Sequence, residues 1–100
     1  MICAYILYSK TLNRFYTGVT QDDLESRILS HNIKAYGNHR FTASANDWEL
    51  FLFIEVKSYD HAIRIERKIK SQKSSVYIRN LKKYPELVEK LVMDSSSSIG

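Results

Sequence analysis

Two short apolar and aromatic runs stand near the N-terminus with only a short polar stretch between them. Residues 2–8 and 14–19 each have the composition of a β-strand, and residues 9–13 are polar and turn-prone. A connection this short joins strands that lie side by side and run in opposite directions. The sequence therefore predicts a β-hairpin, and a loop centred on Lys10 and Thr11 brings Tyr5 near Tyr16 across the pair.

The remaining elements follow from hydrophobic periodicity and from capping residues. Thr20 is predicted to cap the first helix, Ser58 the second, and Pro85 fits the first turn of the last one. A near-continuous apolar run between residues 50 and 54 indicates a third strand that is buried on both faces. The predicted elements after the hairpin are a helix over 21–31, a loop over 33–47, a strand over 48–56, and helices over 59–71, 74–83 and from 85 onward.

The order of these elements, ββαβααα, predicts an α+β fold in which helices flank a small three-stranded antiparallel sheet. A chain of 100 residues allows one domain. We expect residues 1–93 to form it and the Ser-rich residues 94–100 to be a disordered tail. The last helix carries an apolar stripe that either packs on the sheet or binds a protein partner or a second copy: Leu87, Val88, Leu91 and Val92.

The charge of the chain is moderately basic and unevenly distributed. The formal net charge is +4 and the sequence pI is about 9.2, values that fit a polyanionic partner and equally a domain with spare lysines. The distribution is more informative, because eight of the 15 Lys and Arg residues fall between residues 62 and 83, where Glu66 is the single acid. This segment predicts a nonspecific phosphate-binding surface.

Cysteine usage and hydropathy exclude several classes of protein. The single cysteine, Cys3, excludes an internal disulfide and a zinc site built from several cysteines, and its apolar surroundings predict a core position. The N-terminal run is short and broken by polar residues, so we see no signal peptide. No stretch is long enough to span a bilayer, and we expect a cytoplasmic protein.

One acid interrupts the apolar stripe of the second predicted helix. Ala62, Ile65 and Ile69 repeat at the helical period, and Glu66 stands beside them. A carboxylate among aliphatic side chains is costly unless a metal ion or a cation compensates it. The sequence leaves two interpretations open: a metal ligand, or a structural ion pair with Arg27 or a neighbouring lysine.

Arg27 and His31 lie one turn apart on the first predicted helix, on the face that carries Leu24 and Ile28. An arginine fork at a cleft edge suits a phosphate group. The alternatives are an arginine whose stem packs on the core with its head in water, and a histidine that only satisfies a structural hydrogen bond. The sequence leaves these alternatives open.

Tyr5 and Tyr16 stand on the two strands of the predicted hairpin, with Gly18 just beyond. A glycine within a strand indicates a bulge or a close approach of another group. A cross-strand aromatic pair that merely stabilises the hairpin is the simpler interpretation. The combination of these tyrosines with Arg27, His31 and Glu66 in a basic domain favours a phosphate-processing site.

These motifs, in this order, resemble the GIY-YIG nucleases over residues 3–81. AYI at 4–6 and FYTG at 15–18 resemble the paired strand motifs that name the family, and DLESR at 23–27 with HN at 31–32 resembles its arginine-bearing helix. FT at 41–42 with DWEL at 47–50 is similar to the approach to its third strand. AIRIERKIK at 62–70 resembles the helix with the metal-binding glutamate. The chain looks most like the compact stand-alone bacterial members, which are similar to the nuclease portion of the excision-repair endonuclease.

Three positions depart from the family pattern. Ala4 replaces the first glycine of the name motif and Thr17 replaces its isoleucine, and both are compatible with a strand. Many relatives have a basic stretch after the threonine at position 42, where this chain has ASA at 43–45. This loss of charge favours an alternative in which the domain binds DNA or RNA without cutting it.

The resemblance implies a metal-dependent endonuclease that hydrolyses phosphodiester bonds in nucleic acid with little sequence specificity. DNA is the expected substrate, and RNA is the alternative. It implies one divalent ion, Mg²⁺ or Mn²⁺, on Glu66. The implied catalytic residues are Tyr5, Tyr16, Arg27, His31 and Glu66. The expected nucleic-acid-binding residues are Lys68, Lys70, Lys73, Arg79, Lys82 and Lys83. The expected supporting residues are Gly18, Asn32, Thr42, Trp48 and Asn80.

Overall fold

The computed structural model describes residues 1–33 and 45–96, and it has the predicted α+β architecture. A three-stranded antiparallel sheet packs against helices in the order ββαβααα. The elements are β1 (Cys3–Ser9), β2 (Arg14–Thr20), α1 (Leu24–Asn32), β3 (Glu49–Glu55), α2 (Tyr59–Gln72), α3 (Ser75–Lys83) and α4 (Pro85–Asp94).

β1 is the central strand of the sheet, and β2 and β3 lie on either side of it. The predicted hairpin is present, but the loop centred on Lys10 and Thr11 is wrong. Tyr5 pairs with Gly18, and Tyr16 pairs with Leu7. The loop spans four residues, 10–13, because Asn13 adopts the left-handed backbone conformation (φ 51°) that asparagine tolerates. The two tyrosines are therefore diagonal neighbours on one face of the sheet.

Alternation along β1 divides the interior into two clusters, one on each face of the sheet. Ala4 and Ile6 point toward α2, α3 and α4, where they meet buried aliphatic side chains such as Ile65. Cys3, Tyr5 and Leu7 point to the opposite face, where Leu24 of α1 and Trp48 cover them. Cys3 is fully buried, as predicted. The face with α1 carries most of the chemistry-bearing residues.

The prediction that the third strand is buried on both faces is wrong. In β3 only Ile54 is buried, while Leu50 and Phe53 are exposed. The physical reason is the position of β3 at the edge of the sheet, where the flanking helices cover only part of it. A continuous apolar run does not distinguish a central strand from such an edge strand.

The helix starts follow capping chemistry, with one correction. Ser58 caps α2 and Pro85 begins α4, as predicted. The cap of α1 is Asp23 and not Thr20, because the Asp23 carboxylate accepts from Ser26 N while Thr20 Oγ1 accepts from Asp22 N. None of the helices in the described ranges combines the length and the apolar character that a bilayer crossing requires.

The apolar stripe of α4 packs on the larger cluster. Leu91 is buried, and Leu87, Val88 and Val92 pack partly buried against the same cluster. Of the two interpretations of the stripe, the structure shows packing within the chain. The end of α4 extends into the predicted tail, since Asp94 closes the helix and Arg64 donates hydrogen bonds to the carbonyl oxygens of residues 95 and 96. Residues 97–100 of that tail lie outside the described part of the chain.

Asp47 joins the hairpin loop to the start of β3. Its carboxylate accepts hydrogen bonds from Ser9 Oγ at 2.6 Å, from Thr11 N at 3.0 Å and from Thr11 Oγ1 at 2.9 Å. The hydrogen bond from Ser9, followed by that from the Thr11 backbone, lowers the pKa of Asp47 from 3.8 to about 2. The ionised carboxylate therefore stabilises the loop that sets the hairpin register.

We predict that Asp47→Asn lowers stability near neutral pH, because an amide cannot accept all three hydrogen bonds. A lowered folded-state pKa stabilises the protein above the unfolded value of 3.8, and this contribution is lost as the pH falls toward about 2. Urea denaturation across this pH range should therefore show the gap between wild type and variant closing. Glu89→Gln, an exposed change on α4, is the control. A gap that stays constant down to pH 2 contradicts the role of Asp47.

Candidate active site

A buried hydrogen bond between a tyrosine and a histidine joins the sheet to α1. Tyr5 Oη lies 2.9 Å from Nε2 of His31, and the two residues are 1% and 2% exposed. His31 reaches this position because it follows the buried Leu24 by two turns on the same helix face. A polar pair this deep in the core is held in one geometry.

Tyr16 lies beside this pair and closer to the surface. Its ring centroid is 5.0 Å from that of His31 and 6.5 Å from that of Tyr5. Tyr16 is half-buried, whereas Tyr5 and His31 are buried. Of the two tyrosines, Tyr16 is therefore the one that a water molecule or a substrate can reach.

Gly18 makes room for both tyrosines. A Cβ at this position would lie 2.6 Å from Tyr5 Oη and 3.1 Å from Tyr16 Cε1. The first distance is below any real contact of a Cβ atom. The pairing of Gly18 with Tyr5 across the hairpin explains this contact, since the tyrosine ring folds over the glycine.

Asn32 and Trp48 brace the cluster from the side of α1. The Asn32 side chain donates to Trp48 O at 3.0 Å and accepts from Trp48 N at 2.7 Å. Trp48 is buried, and its ring centroid lies 6.4 Å from that of Tyr16. These two hydrogen bonds fix the end of α1 against the start of β3, and they place the indole against the tyrosine.

Arg27 stands on the same face of α1 as His31, one turn earlier. It is half-buried, between the buried side chains of Leu24 and His31 along the helix. An arginine in this position has a limited choice of directions for its guanidinium group. The helix therefore carries a cation next to the buried tyrosine–histidine pair.

Glu66 approaches the cluster through Lys70. Ala62, Ile65 and Ile69 of α2 are buried, as the periodicity predicted, and the Glu66 side chain beside them is 21% exposed. Glu66 Oε2 lies 3.3 Å from Lys70 Nζ, one turn along the helix. The ammonium group in turn lies 6.0 Å from the centroid of the Tyr16 ring. The ion pair with a neighbouring lysine, one of the two interpretations of Glu66, is thus present.

No cage of several protein ligands surrounds Glu66 within residues 1–33 and 45–96, since these residues contain no group of three or more His, Cys, Asp and Glu side chains arranged to hold a metal. A divalent ion held by one carboxylate must take its other ligands from water and from substrate. This arrangement suits Mg²⁺, which keeps several of its waters when bound. The donor set of the cluster therefore fits one hard divalent ion on Glu66.

The six predicted nucleic-acid-binding cations have different surroundings in the structure. Lys70 and Lys73 border a groove between β2 and α2 together with Phe15 and Tyr16. Arg79 and Lys82 of α3 lie over aromatic rings, with Arg79 5.1 Å from the Phe15 centroid and Lys82 4.7 Å from the Phe51 centroid. Lys83 lies over Tyr84. Lys68 instead lines a separate cavity between α2, α3 and α4.

The structure shows no contact between the cluster and one expected supporting residue, and it does not describe another. Thr42 lies outside the described residues. Asn80 is half-buried on α3, and no side-chain hydrogen bond joins it to another residue in the part of the chain that the structure describes. Ser9 and Asp47 support the site, but the sequence did not predict this role. The two residues are hydrogen-bonded to each other although they are 38 residues apart in the sequence. No short-range pattern signals such a pair.

The chain was compared with known proteins. The family model described as the GIY-YIG catalytic domain matches residues 1–84. No match was found among curated proteins, and none among solved structures. The matched range contains every residue of the cluster built around Tyr5 and His31, together with α2 and α3.

We predict that Gly18→Ala displaces the Tyr5 hydroxyl from His31, because the added methyl group and the hydroxyl cannot share the space. The strain should lower the free energy of unfolding by about 1–3 kcal/mol. Fluorescence of Trp48, the single tryptophan, should change as Tyr16 shifts. Thr17→Ala, whose side chain points to the opposite face, should leave the fluorescence unaltered. A Gly18→Ala variant with wild-type fluorescence and stability contradicts this packing.

Proposed function

Because the chain belongs to the GIY-YIG catalytic domain family, a family of nucleases, we propose that it is an endonuclease that hydrolyses phosphodiester bonds in nucleic acid with the help of one divalent metal ion. DNA is the first candidate for the substrate, and RNA is the second. The expected sequence specificity is low, since the chain contains no motif of the kind that reads base edges. The strand would be cut by attack of water on a backbone phosphate.

The observation that carries this proposal is the position of Tyr16. The accessible phenol lies between the buried pair of Tyr5 and His31 on one side and the pair of Lys70 and Glu66 on the other. The half-buried Tyr16 lies 6.0 Å from an ammonium group that is paired with the Glu66 carboxylate, so a proton acceptor, a cation and a candidate metal ligand follow one another along this side of the chain. Packing alone does not require this combination.

In the proposed reaction Tyr16 first releases its own phenolic proton to solvent, and the resulting phenolate then takes the proton from the attacking water. The base must come within hydrogen-bond distance of that water, and Tyr16 is accessible whereas Tyr5 is 1% exposed. The ammonium group of Lys70 lies 6.0 Å from the centroid of the ring that would carry the phenolate. Tyr5 and His31 act as positioning residues, because they hold the wall against which the Tyr16 ring rests.

Arg27 would stabilise the charge on the phosphoryl oxygens. Its guanidinium group carries a permanent charge and five donors, which match the oxygens of a phosphate. A preorganised donor next to developing charge stabilises the transition state more than the ground state. The half-buried stem of Arg27 between Leu24 and His31 provides that preorganisation.

Glu66 would hold the metal ion, either Mg²⁺ or Mn²⁺. When bound, such an ion would polarise the scissile phosphate and stabilise the leaving oxygen. Lys70 occupies one side of the same carboxylate at 3.3 Å, so that lysine and metal compete for Glu66. A substrate phosphate would draw Lys70 away from Glu66 and so favour the metal-bound form.

Cations around the groove would grip the phosphate backbone. Lys73 borders the groove beside Tyr16, and Arg79 and Lys82 stand further along, held over aromatic rings. An arginine or lysine held by a ring loses less freedom on binding than a mobile one. These contacts are independent of base sequence.

The second candidate is a domain that binds nucleic acid without cutting it. The ion pair between Glu66 and Lys70 favours this reading, because it compensates the carboxylate without any metal. The two functions differ in their response to metal. A nuclease needs the divalent ion for turnover, whereas a binding domain holds nucleic acid equally well in a chelator.

We predict that the purified protein with Mg²⁺ or Mn²⁺ cleaves at least one of branched, single-stranded and duplex DNA. Tyr16→Phe removes the proton acceptor, and the cleavage rate should fall by roughly 10²–10⁴-fold. Glu66→Gln removes the metal ligand at constant size and should abolish metal-dependent cleavage. Glu89→Gln on α4 is the matched control and should cleave normally. Retained cleavage by Glu66→Gln would exclude the proposed metal site, and retained binding without any cleavage would favour the second candidate.

We also predict that Lys70→Met strengthens metal binding, because it removes the cation that competes for Glu66. Electron paramagnetic resonance of Mn²⁺ measures the bound fraction directly and needs no substrate. The variant should reach half-saturation at a lower Mn²⁺ concentration than wild type, whereas Lys68→Met, in the separate cavity, should not. Equal half-saturation for all three proteins would show that Lys70 does not compete with the ion.

A further inference from the structure

The outer edge of β3 carries backbone groups that no other described strand uses. β3 pairs with β1 on its inner side, and within residues 1–33 and 45–96 no strand pairs with its outer side. An open strand edge of seven residues presents a row of hydrogen-bond donors and acceptors to another chain. One irregularity interrupts this edge, because the register with β1 shifts between Ile6 and Leu7, which leaves Phe51 outside the pairs and a regular run over residues 52–55.

Two apolar grooves flank this edge, one on each face of the sheet. The groove on the α1 side has a volume of about 520 Å³, and Ile28, Leu50 and Phe53 form its apolar lining. The groove on the α4 side has a volume of about 490 Å³, and Val92 and Met93 contribute to it. Phe53 borders both grooves, so the two form one surface around the edge of β3.

The apolar side chains on this surface are exposed to an unusual degree. Met93 is 74% exposed, Phe53 42% and Leu50 40%. Single exposed apolar residues are common, but a contiguous group of them marks an interaction site. Leu50 and Phe53 are large apolar residues at exposed strand positions, where polar side chains would make the surface more soluble.

Acidic residues surround the grooves. Asp22 and Glu25 border the groove on the α1 side, and Glu55 and Glu89 border the one on the α4 side. Among the described residues no lysine, arginine or histidine lines either groove, and the one cationic group of a lining residue is the N-terminal ammonium of Met1 beside the acids of the α1 side. This surface therefore repels phosphate, in contrast to the basic groove between β2 and α2, and attracts a cationic protein segment.

We propose that the β3 edge binds an extended segment of a basic partner protein, which adds a strand to the sheet. Strand addition uses the free backbone groups of β3 for affinity and the grooves on the two faces for alternate apolar side chains of the added segment. The acids hold its lysine or arginine residues. A second copy of this chain fits less well, because pairing two β3 edges would bring the acidic rims of both copies together.

The binding surface lies on the opposite edge of the sheet from β2 and the groove beside Tyr16. Substrate and partner would therefore occupy the chain at the same time without competing. The proposal stands whether or not the chain cuts nucleic acid.

A synthetic peptide as long as β3, with a valine-rich centre and lysines at both ends, tests the proposal. We expect saturable binding to the ¹⁵N-labelled full chain, with slower amide exchange in β3 and shifted NMR signals around Phe53 and Met93. The same peptide with glutamates at its ends, or with alternate central amides methylated, should not bind. Absence of binding by the lysine peptide, or shifts confined to other elements, overturns the proposal.

Variants of exposed residues separate the surface from the fold. Met93→Ser and Glu89→Lys should each weaken peptide binding, Met93→Ser by about tenfold because an apolar contact is lost. Val76→Ser, at a position 65% exposed on α3, is the matched control and should bind the peptide normally. Sedimentation of the full chain without peptide measures its oligomeric state and completes the test. A dimer that Met93→Ser dissociates would make this surface a contact between copies and overturn the proposal.

Discussion

The hydrogen bond between Tyr5 and His31 joins the strand and the helix that carry most of the candidate site. Tyr5 Oη and His31 Nε2 lie 2.9 Å apart, and both residues are shielded from water. The bond therefore requires β1 and α1 to keep a fixed separation. Gly18 supplies the space for the phenol, and Asn32 anchors the end of α1 to the backbone of Trp48. The accessible Tyr16 ring rests on this buried framework. The site is rigid because its support is polar, buried and satisfied at several points.

Charge is divided between the two edges of the sheet. Lys70, Lys73 and Arg79 stand near β2, whereas acids and exposed apolar side chains surround the outer edge of β3. The Glu66–Lys70 pair lies where the basic region meets the cluster. The ion pair compensates the charge of the Glu66 carboxylate beside the groove that Lys70 and Lys73 border. Under the two proposals, a polyanion would bind at one edge of the sheet and a basic protein segment at the other.

Local patterns predicted much of this structure, and long-range contacts account for what they missed. The order of elements, the Ser58 cap and the burial of Ala62, Ile65 and Ile69 depend on neighbours within a turn or two. The hairpin register depended instead on the left-handed Asn13 and on Asp47, a residue far along the chain. Exposure of β3 depended on its place at the sheet edge. The residues of the cluster were proposed from a family resemblance, whereas the greater accessibility of Tyr16 over Tyr5 came from the fold alone.

The central claim is that Glu66 exchanges its lysine partner for a divalent ion when nucleic acid binds beside Tyr16. A crystal structure of the full chain with Mn²⁺ and an uncleavable phosphorothioate oligonucleotide tests it most directly, since the anomalous signal of manganese locates the ion. The account predicts one manganese peak at the Glu66 carboxylate, contact between Lys70 and a phosphate, and the Tyr16 hydroxyl facing the scissile phosphorus. A bound oligonucleotide with Glu66 still paired to Lys70 and no manganese beside it would contradict the account.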